Sequence, residues 1–433
     1  MSAILIAGRA RNHLVRSQAL GQVSASIPPA ASDESAIYPI AGLCDGDTKP
    51  FQFGTLAADR PIWVDVNALA DPSFEDEGGD DLVPSAWTVK TGALVTDDDG
   101  PTPIHGTYAG KLSGTGAVTY QVLYRPAGEA FSFDWSAYGN ADGGKCNVQI
   151  INLETGRYLK TDSTWSDSEE WLLKDWNTVD WTTGSVDAVL ESMTLCGTDL
   201  ARIMVRLSHS GGSGDIWFDA LCYRPHTDFV AIFGHNVPPH VEVKLYSSTT
   251  GAFGGEETLR STVTYEPRNM WEALGSLIKD RYWMLKFADE IDLDLLVEPD
   301  EAFVAIGITE GFLGQKTTLR EAQQWDYGQN FTADQGRSTI GGLTRIYQRN
   351  PAPVEGFSLN WENTSAAGYE ELRDLVFYAS QLGAVKSVFV PDDTRRDIAY
   401  GCFGPDAASA RNFLTVWGTP LRIESMPAAI FVQ

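Results

Sequence analysis

The chain has 433 residues, 43% of them hydrophobic and 11% aromatic, too many for one ordinary core and too ring-rich for disorder. Its formal net charge of −26 argues against nucleic acid and anionic membrane surfaces as partners, because phosphate repels a polyanion. The acids then have two roles open to them: keeping a large β-rich protein soluble, and holding Ca²⁺.

Five cysteines, Cys44, Cys146, Cys196, Cys222 and Cys402, are widely spaced and fall in no metal-binding pattern, which fits synthesis in a reducing compartment. The opening Met1-Ser2-Ala3-Ile4-Leu5-Ile6-Ala7-Gly8-Arg9 lacks a sustained apolar core, and no stretch approaches the roughly 18 apolar residues of a membrane span. The expectation is a protein made in a cytoplasm, with no membrane insertion.

In chain order, residues 1–30 predict an N-terminal arm, with Arg9, Arg11 and Arg16 among short apolar runs and an extended Ile27-Pro28-Pro29 exit, docking on a neighbour. Ile62-Trp63-Val64-Asp65-Val66 alternates with period two and predicts a strand. At Asp71-Pro72-Ser73-Phe74-Glu75-Asp76 the character changes to Pro, Gly and acid, as far as Pro84. Short strands then recur between turn signals: 108–112, 118–122, 130–135, 147–151, 201–207 and 215–221. That spacing means a sandwich or jelly roll. After Tyr223-Arg224-Pro225 the earlier style resumes, in 229–233, 240–246 and 281–287. Residues 71–224 therefore read as a domain inserted into a sandwich built from 31–70 and 225–310, since loop tips tolerate insertion.

The last section, 311–433, predicts an α+β domain. Strands at 356–361, 385–390 and 421–426 flank a helix over 365–383. There Tyr369, Leu372, Leu375, Val376, Ala379 and Leu382 fall at three-four spacing, Thr364 or Ser365 suits the N-cap and Gly383 the stop. No tandem repeat is present.

Catalytic motifs are missing: no nucleophile elbow, phosphate loop, zinc-protease helix or EF-hand loop occurs, and no motif calls for a cofactor. A glycosidase needs two carboxylates set across a cleft, which neighbouring acids in a sequence do not supply. Asp97-Asp98-Asp99 and Glu75-Asp76-Glu77 read as solvated loops. His235 and His240, around Pro238-Pro239, read as a solvated turn in preference to a metal pair. Trp165, Trp171, Trp176 and Trp181 lie in a polar, acidic stretch. Flat rings among hydrogen-bonding groups suit sugar faces, so these four are the candidate glycan-binding residues; the alternative is that they plug a core.

The segments Asp71-Pro72-Ser73-Phe74-Glu75-Asp76, Trp87, 105–112 and 215–221 together resemble the carbohydrate-binding-module jelly roll of the galactose-binding-like superfold, with Asp71 where Asn is usual. The resemblance implies a structural Ca²⁺ tying the opening loop to the final strand, with Glu75 and Asp219 as side-chain ligands. The flanking sequence resembles tail proteins of tailed phages, carried by Phe229-Val230-Ala231-Ile232-Phe233-Gly234-His235-Asn236, 280–286, 305–308, Trp325-Asp326-Tyr327-Gly328, 357–361 and 388–392. That resemblance implies a discoidin-like sandwich and a last unit of the tail-tip or distal-tail kind.

The overall expectation is a mainly β, non-enzymatic virion protein of a phage tail tip or baseplate. It would form a homo-oligomeric ring with tail tube, hub and tail fibres as partners, and display the jelly roll toward host surface glycans. A free lectin-like protein and a purely structural tail protein that binds no sugar are the alternatives.

Overall fold

The computed structural model describes residues 62–289 except 77, 141, 192–199, 236, 240 and 268, together with residues 306–318 and 398; elsewhere it describes the backbone of short strands between 4 and 425. Every regular element among the described residues is a β-strand, and every strand pairing is antiparallel. No helix of the described residues is long and apolar enough to cross a membrane. The chain divides into two compact units: one takes in Val66–His226, and the other is assembled from sequence on both sides of it.

The Val66–His226 unit contains β1 (Thr88–Asp97), β2 (Ala109–Pro126), β3 (Ala130–Tyr138), β4 (Cys146–Asn152), β5 (Arg157–Leu159), β6 (Trp165–Ser166), β7 (Leu173–Trp176), β8 (Trp181–Val189), β9 (Leu200–His209) and β10 (Ile216–Pro225). The strand order is β6-β5-β4-β9-β2-β10-β3-β8, with β7 on β4 and β1 on β2. One long strand, β2, belongs to both layers. Its first residues pair with β10, and its stretch from Val118 to Pro126 pairs with β9. Between them Ser113–Gly116 forms an exposed corner. Gly114 and Gly116 have φ of +93° and +83°, and β1 bulges alongside at Gly92, φ +80°. A Cβ on Gly92 would collide with Ala117, so the corner closes only with glycine there.

Period-two alternation fills the space between the layers. Phe131, Phe133, Trp135 and Ala137 of β3 face Ile203, Val205 and Leu207 of β9 and Val148 and Ile150 of β4 in one buried cluster. Phe74 is fully buried against the Trp87 ring, with centroids 5.7 Å apart, and Gly110 leaves room for it.

In the second unit β11 (Thr227–His235) is buried at every position, the mark of a strand covered on both faces. It lies between β14 (Asn269–Ile278) and β16 (Ile306–Gly314) in one sheet. The facing sheet runs β13 (Thr258–Val263), β12 (Val241–Ser248), β15 (Tyr282–Asp289) and then the strand Ile62–Asp65. Val230 and Ile232 look onto Ile62, Val64, Leu245 and Trp283 across a small apolar cavity. Phe229, Ala231 and Phe233 pack on Trp271, Phe312 and Ile398. Arg281 holds Asp65 in a two-point pair at 3.0 and 2.7 Å.

One expectation meets a different observation, and another falls outside what the structure describes. Ile4–Ile6, placed in an arm that docks on a neighbour, pairs within its own chain with Ser387–Val390 and Thr317–Thr318. The helix expected over 365–383 lies outside the described residues. The adjoining strands Val354–Thr364 and Val416–Ser425 pair with each other.

Candidate functional site

The segment Val66–Asp76 is laid beside the end of β10 by backbone and amide bonds. Asn67 donates to the Leu221 carbonyl (3.1 Å) and accepts from Tyr223 N (3.0 Å), and Leu221 N donates to Pro72 O (3.0 Å). Gln121 clasps both backbone groups of Ala70, at 2.9 and 2.8 Å. The chain then turns sharply, with Asp71 and Phe74 at φ +43° and +60°. Asp71 Oδ1 accepts from Glu75 N (2.7 Å) and Asp76 N (3.2 Å), which is the job an asparagine oxygen would do at this position.

This turn aims Glu75 at the loop 98–108 between β1 and β2. Its Oε1 accepts from Thr107 N and Tyr108 N, both at 2.7 Å. Asp219 on β10 takes the other half of the loop: its Oδ2 accepts from Ile104 N (2.6 Å) and His105 N (2.8 Å). Its Oδ1 accepts from Ala220 N (2.6 Å), and Ala220 stands at φ +48° in the β10 bulge. Burial pushes the Asp219 carboxyl up to about 6, three amides pull it down, and the charge of Glu75 adds to the rise. A turn carboxylate and a strand carboxylate brought to one loop, the second raised by burial and by the charge of the first, are the donor chemistry a Ca²⁺ ion relieves.

Aromatic rings pin the same loop. Trp181 Nε1 donates to Thr102 O (2.9 Å) and Trp217 Nε1 to Asp97 Oδ2 (2.7 Å), with Tyr138 edge-on to both rings at 5.5 and 5.8 Å. Asp97 is buried and also accepts from Lys111 Nζ (2.5 Å), so it is no solvated loop residue as its acidic run suggested. Glu75 is likewise engaged, not solvated, and Glu77 lies outside the described residues. Asp98 and Asp99 are exposed and cluster with Asp80. His235, read as part of a solvated turn, is buried: its Nε2 bonds the Glu266 carbonyl at 2.9 Å, and burial lowers its pKa to about 4. His240 lies outside the described residues.

The four candidate tryptophans do not share a surface. Trp165 is 9% exposed in the core, donating to Val189 O at 2.9 Å, and so has no face free for a sugar. Trp176 packs on the same core. Trp181 lies beneath Thr102, on the outer side of the other layer. Trp171 is half-buried, with the Arg206 guanidinium 5.3 Å from its ring centroid. Their polar neighbours misled because short edge strands put one side of the backbone in water and the other in the core.

A different surface gathers what those residues were expected to offer. On the outward side of β2 stand Tyr120, Val122 and Tyr124, all half-buried. In register across β9 come Arg206, Met204 and Arg202, and across β4 Gln149 and Ile151. Arg206 donates to Gln149 Oε1 (3.2 Å), and Gln149 Nε2 donates to Glu170 O (2.8 Å), so Trp171 and Arg206 form a fixed wall at one end. Gln149 is itself buried and serves only to hold this wall. The half-exposed rings and the guanidinium edge on a rigid sheet can stack on a flat apolar face while bonding the hydroxyls at its rim. The available signal was the period-two alternation Val118-Thr119-Tyr120-Gln121-Val122-Leu123-Tyr124, whose aromatic positions fall on the side away from the core.

The fold and site define an antiparallel jelly-roll unit with a two-carboxylate loop clamp and an aromatic sheet face. No protein-family model matches this sequence, and no curated protein does. Among solved structures, the chain is similar to the enzymatically active domain of tailspike protein 4 of bacteriophage CBA120, at 17% identity and TM-score 0.26, over 37% of this chain and 21% of that one. It is similar to TmCBM61, solved with β-1,4-galactotriose, at 20% identity and TM-score 0.25, over 37% of this chain and 98% of that one. It is also similar to the CBM22-1 xylan-binding domain of Paenibacillus barcinonensis Xyn10C, at 10% identity and TM-score 0.25, over 35% of this chain and 90% of that one. The chain thus spans only a minor part of the tailspike domain.

Proposed function

We propose that this chain is a structural protein of a phage tail tip or baseplate whose jelly-roll unit contacts host surface glycans during adsorption. The observation that carries the glycan reading is the outward face of β2, β9 and β4, with Tyr120 and Tyr124 half-exposed beside the Arg206–Trp171 wall. The tail reading rests on the sequence segments around 229–236 and 280–286. In it the split sandwich is discoidin-like, 311–433 is an α+β assembly domain, and copies form a ring with tail tube, hub and fibres. Weak contacts repeated around such a ring gain strength through effective concentration.

No catalytic role is assigned. Glu75 and Asp219 are the residues that would hold a structural Ca²⁺. When bound, the ion supplies positive charge that neutralises the pair and fixes the loop 98–108. Cryo-electron microscopy of purified particles tests the tail reading. Density for the chain in a symmetric ring, with Val66–His226 facing outward, supports it. A particle lacking the chain removes it and leaves a free lectin-like protein.

A further inference from the structure

Resting on the glycan reading, we infer that the ligand of the Tyr120–Tyr124 face is an uncharged glycan lying along β2. Both arginines that rise from the central strand are already committed. Arg202 Nε donates to Glu154 at 2.6 Å, and Arg206 faces Glu169 at 3.7 Å while donating to Gln149. The segment that closes this face, Ser166–Trp176, carries Asp167, Glu169, Glu170 and Asp175 against the single Lys174. A uronate, sulfate or phosphate brought here would meet an acidic border and would have to displace Glu154 or Glu169 to reach a guanidinium. Like charges brought together at a binding face cost free energy and so discriminate against an anionic ligand.

The rings set the direction. Tyr120 and Tyr124 stand four residues apart on one side of one strand, about 13 Å at 3.3 Å per residue. Val122 lies between them, and Met204 beside it, as an apolar floor. A chain of sugars laid along β2 meets a ring at each end and apolar surface in the middle. The same chain laid across the strands runs into Trp171 and Arg206.

The experiment is binding of the full chain to an array of immobilised polysaccharides, neutral galactans, glucans and xylans beside polygalacturonate, sulfated and phosphate-bearing chains. It is read at low and high salt, with a Glu154→Gln/Glu169→Gln variant in parallel. The expected result is binding to neutral chains that changes little between about 0.05 and about 0.5 M salt. Tyr120→Ala and Tyr124→Ala should each weaken it about tenfold. The double Gln variant should keep neutral binding and gain retention on acidic chains. Binding by the parent to acidic chains alone, lost in salt, overturns the charge assignment and leaves the glycan reading standing. Binding to no chain on the array overturns both.

Discussion

Glu75 and Asp219, far apart in sequence, hold adjacent halves of one loop: Glu75 Oε1 accepts from the amides of Thr107 and Tyr108, and Asp219 Oδ2 from those of Ile104 and His105. The arrangement joins the first turn of the jelly roll to its last strand, and the buried Asp219 carboxylate sits in the field of Glu75. A divalent cation should therefore stabilise the unit. CaCl₂ is expected to raise the melting temperature over EDTA, by about 2.7 kcal/mol of stability at a hundredfold excess over Kd, and Asp219→Asn should abolish the rise. Calcium-independent melting of the parent chain would refute this.

The same aspartate gives a pH dependence in EDTA. Its folded pKa, pushed up by burial to about 6, lies above the unfolded 3.8. The folded state then binds more protons between those values. This contribution is fully present below about pH 3.8 and is lost as pH rises through 6. At 1.36 kcal/mol per unit the loss is on the order of 3 kcal/mol. Melting temperature against pH should fall less steeply over this window for Asp219→Asn than for the parent. Parallel curves would contradict the assignment.

Glu256 behaves in the opposite sense. Its carboxylate accepts from Ser248 Oγ (2.8 Å), Thr250 Oγ1 (2.9 Å), Phe253 N (2.9 Å) and Gly254 N (2.8 Å), and these bonds, that from Ser248 foremost, lower its pKa to about 2. Its contribution is present above the ordinary 4.5 and is lost as pH falls toward 2. Protection of the Phe253 and Gly254 amides, taken relative to the intrinsic exchange rate at each pH, should be present at pH 5 and lost near pH 2. Glu256→Ala should show no such protection at either pH.

The tryptophans separate by position. Trp165→Ala empties core volume and should cost about 3–5 kcal/mol, as should Phe74→Ala. Trp171→Ala should leave the melting transition nearly unchanged and weaken glycan retention through loss of the wall against Arg206. Equal melting losses for Trp165→Ala and Trp171→Ala would show that both are core residues.

Much of the β architecture was legible because alternation reports burial directly. The runs 130–135, 147–151 and 201–207 lie inside β3, β4 and β9, and 215–221 falls within β10 from Ile216 onward. Runs 108–112 and 118–122 looked like two strands and are one, since the exposed Ser113–Gly116 corner interrupts the pattern without ending the strand. β8 escaped notice because Thr182, Thr183, Gly184, Ser185 and Asp187 dilute its apolar positions. Asp97 was misread because its partners, Lys111 and Trp217, are remote in sequence. Tyr120 and Tyr124 were overlooked as site residues for a related reason. Whether an outward ring is a platform or a rim depends on the neighbouring strands, and register is not written in any one of them.

The most direct test of the account is affinity electrophoresis of the full chain through gels containing neutral polysaccharides, beside a Tyr120→Ala/Tyr124→Ala variant whose melting temperature matches the parent. The account predicts that at least one neutral polysaccharide retards the parent and that the variant runs unretarded. Equal retardation of both would place the glycan site elsewhere, and a parent unretarded in every gel would contradict glycan binding itself.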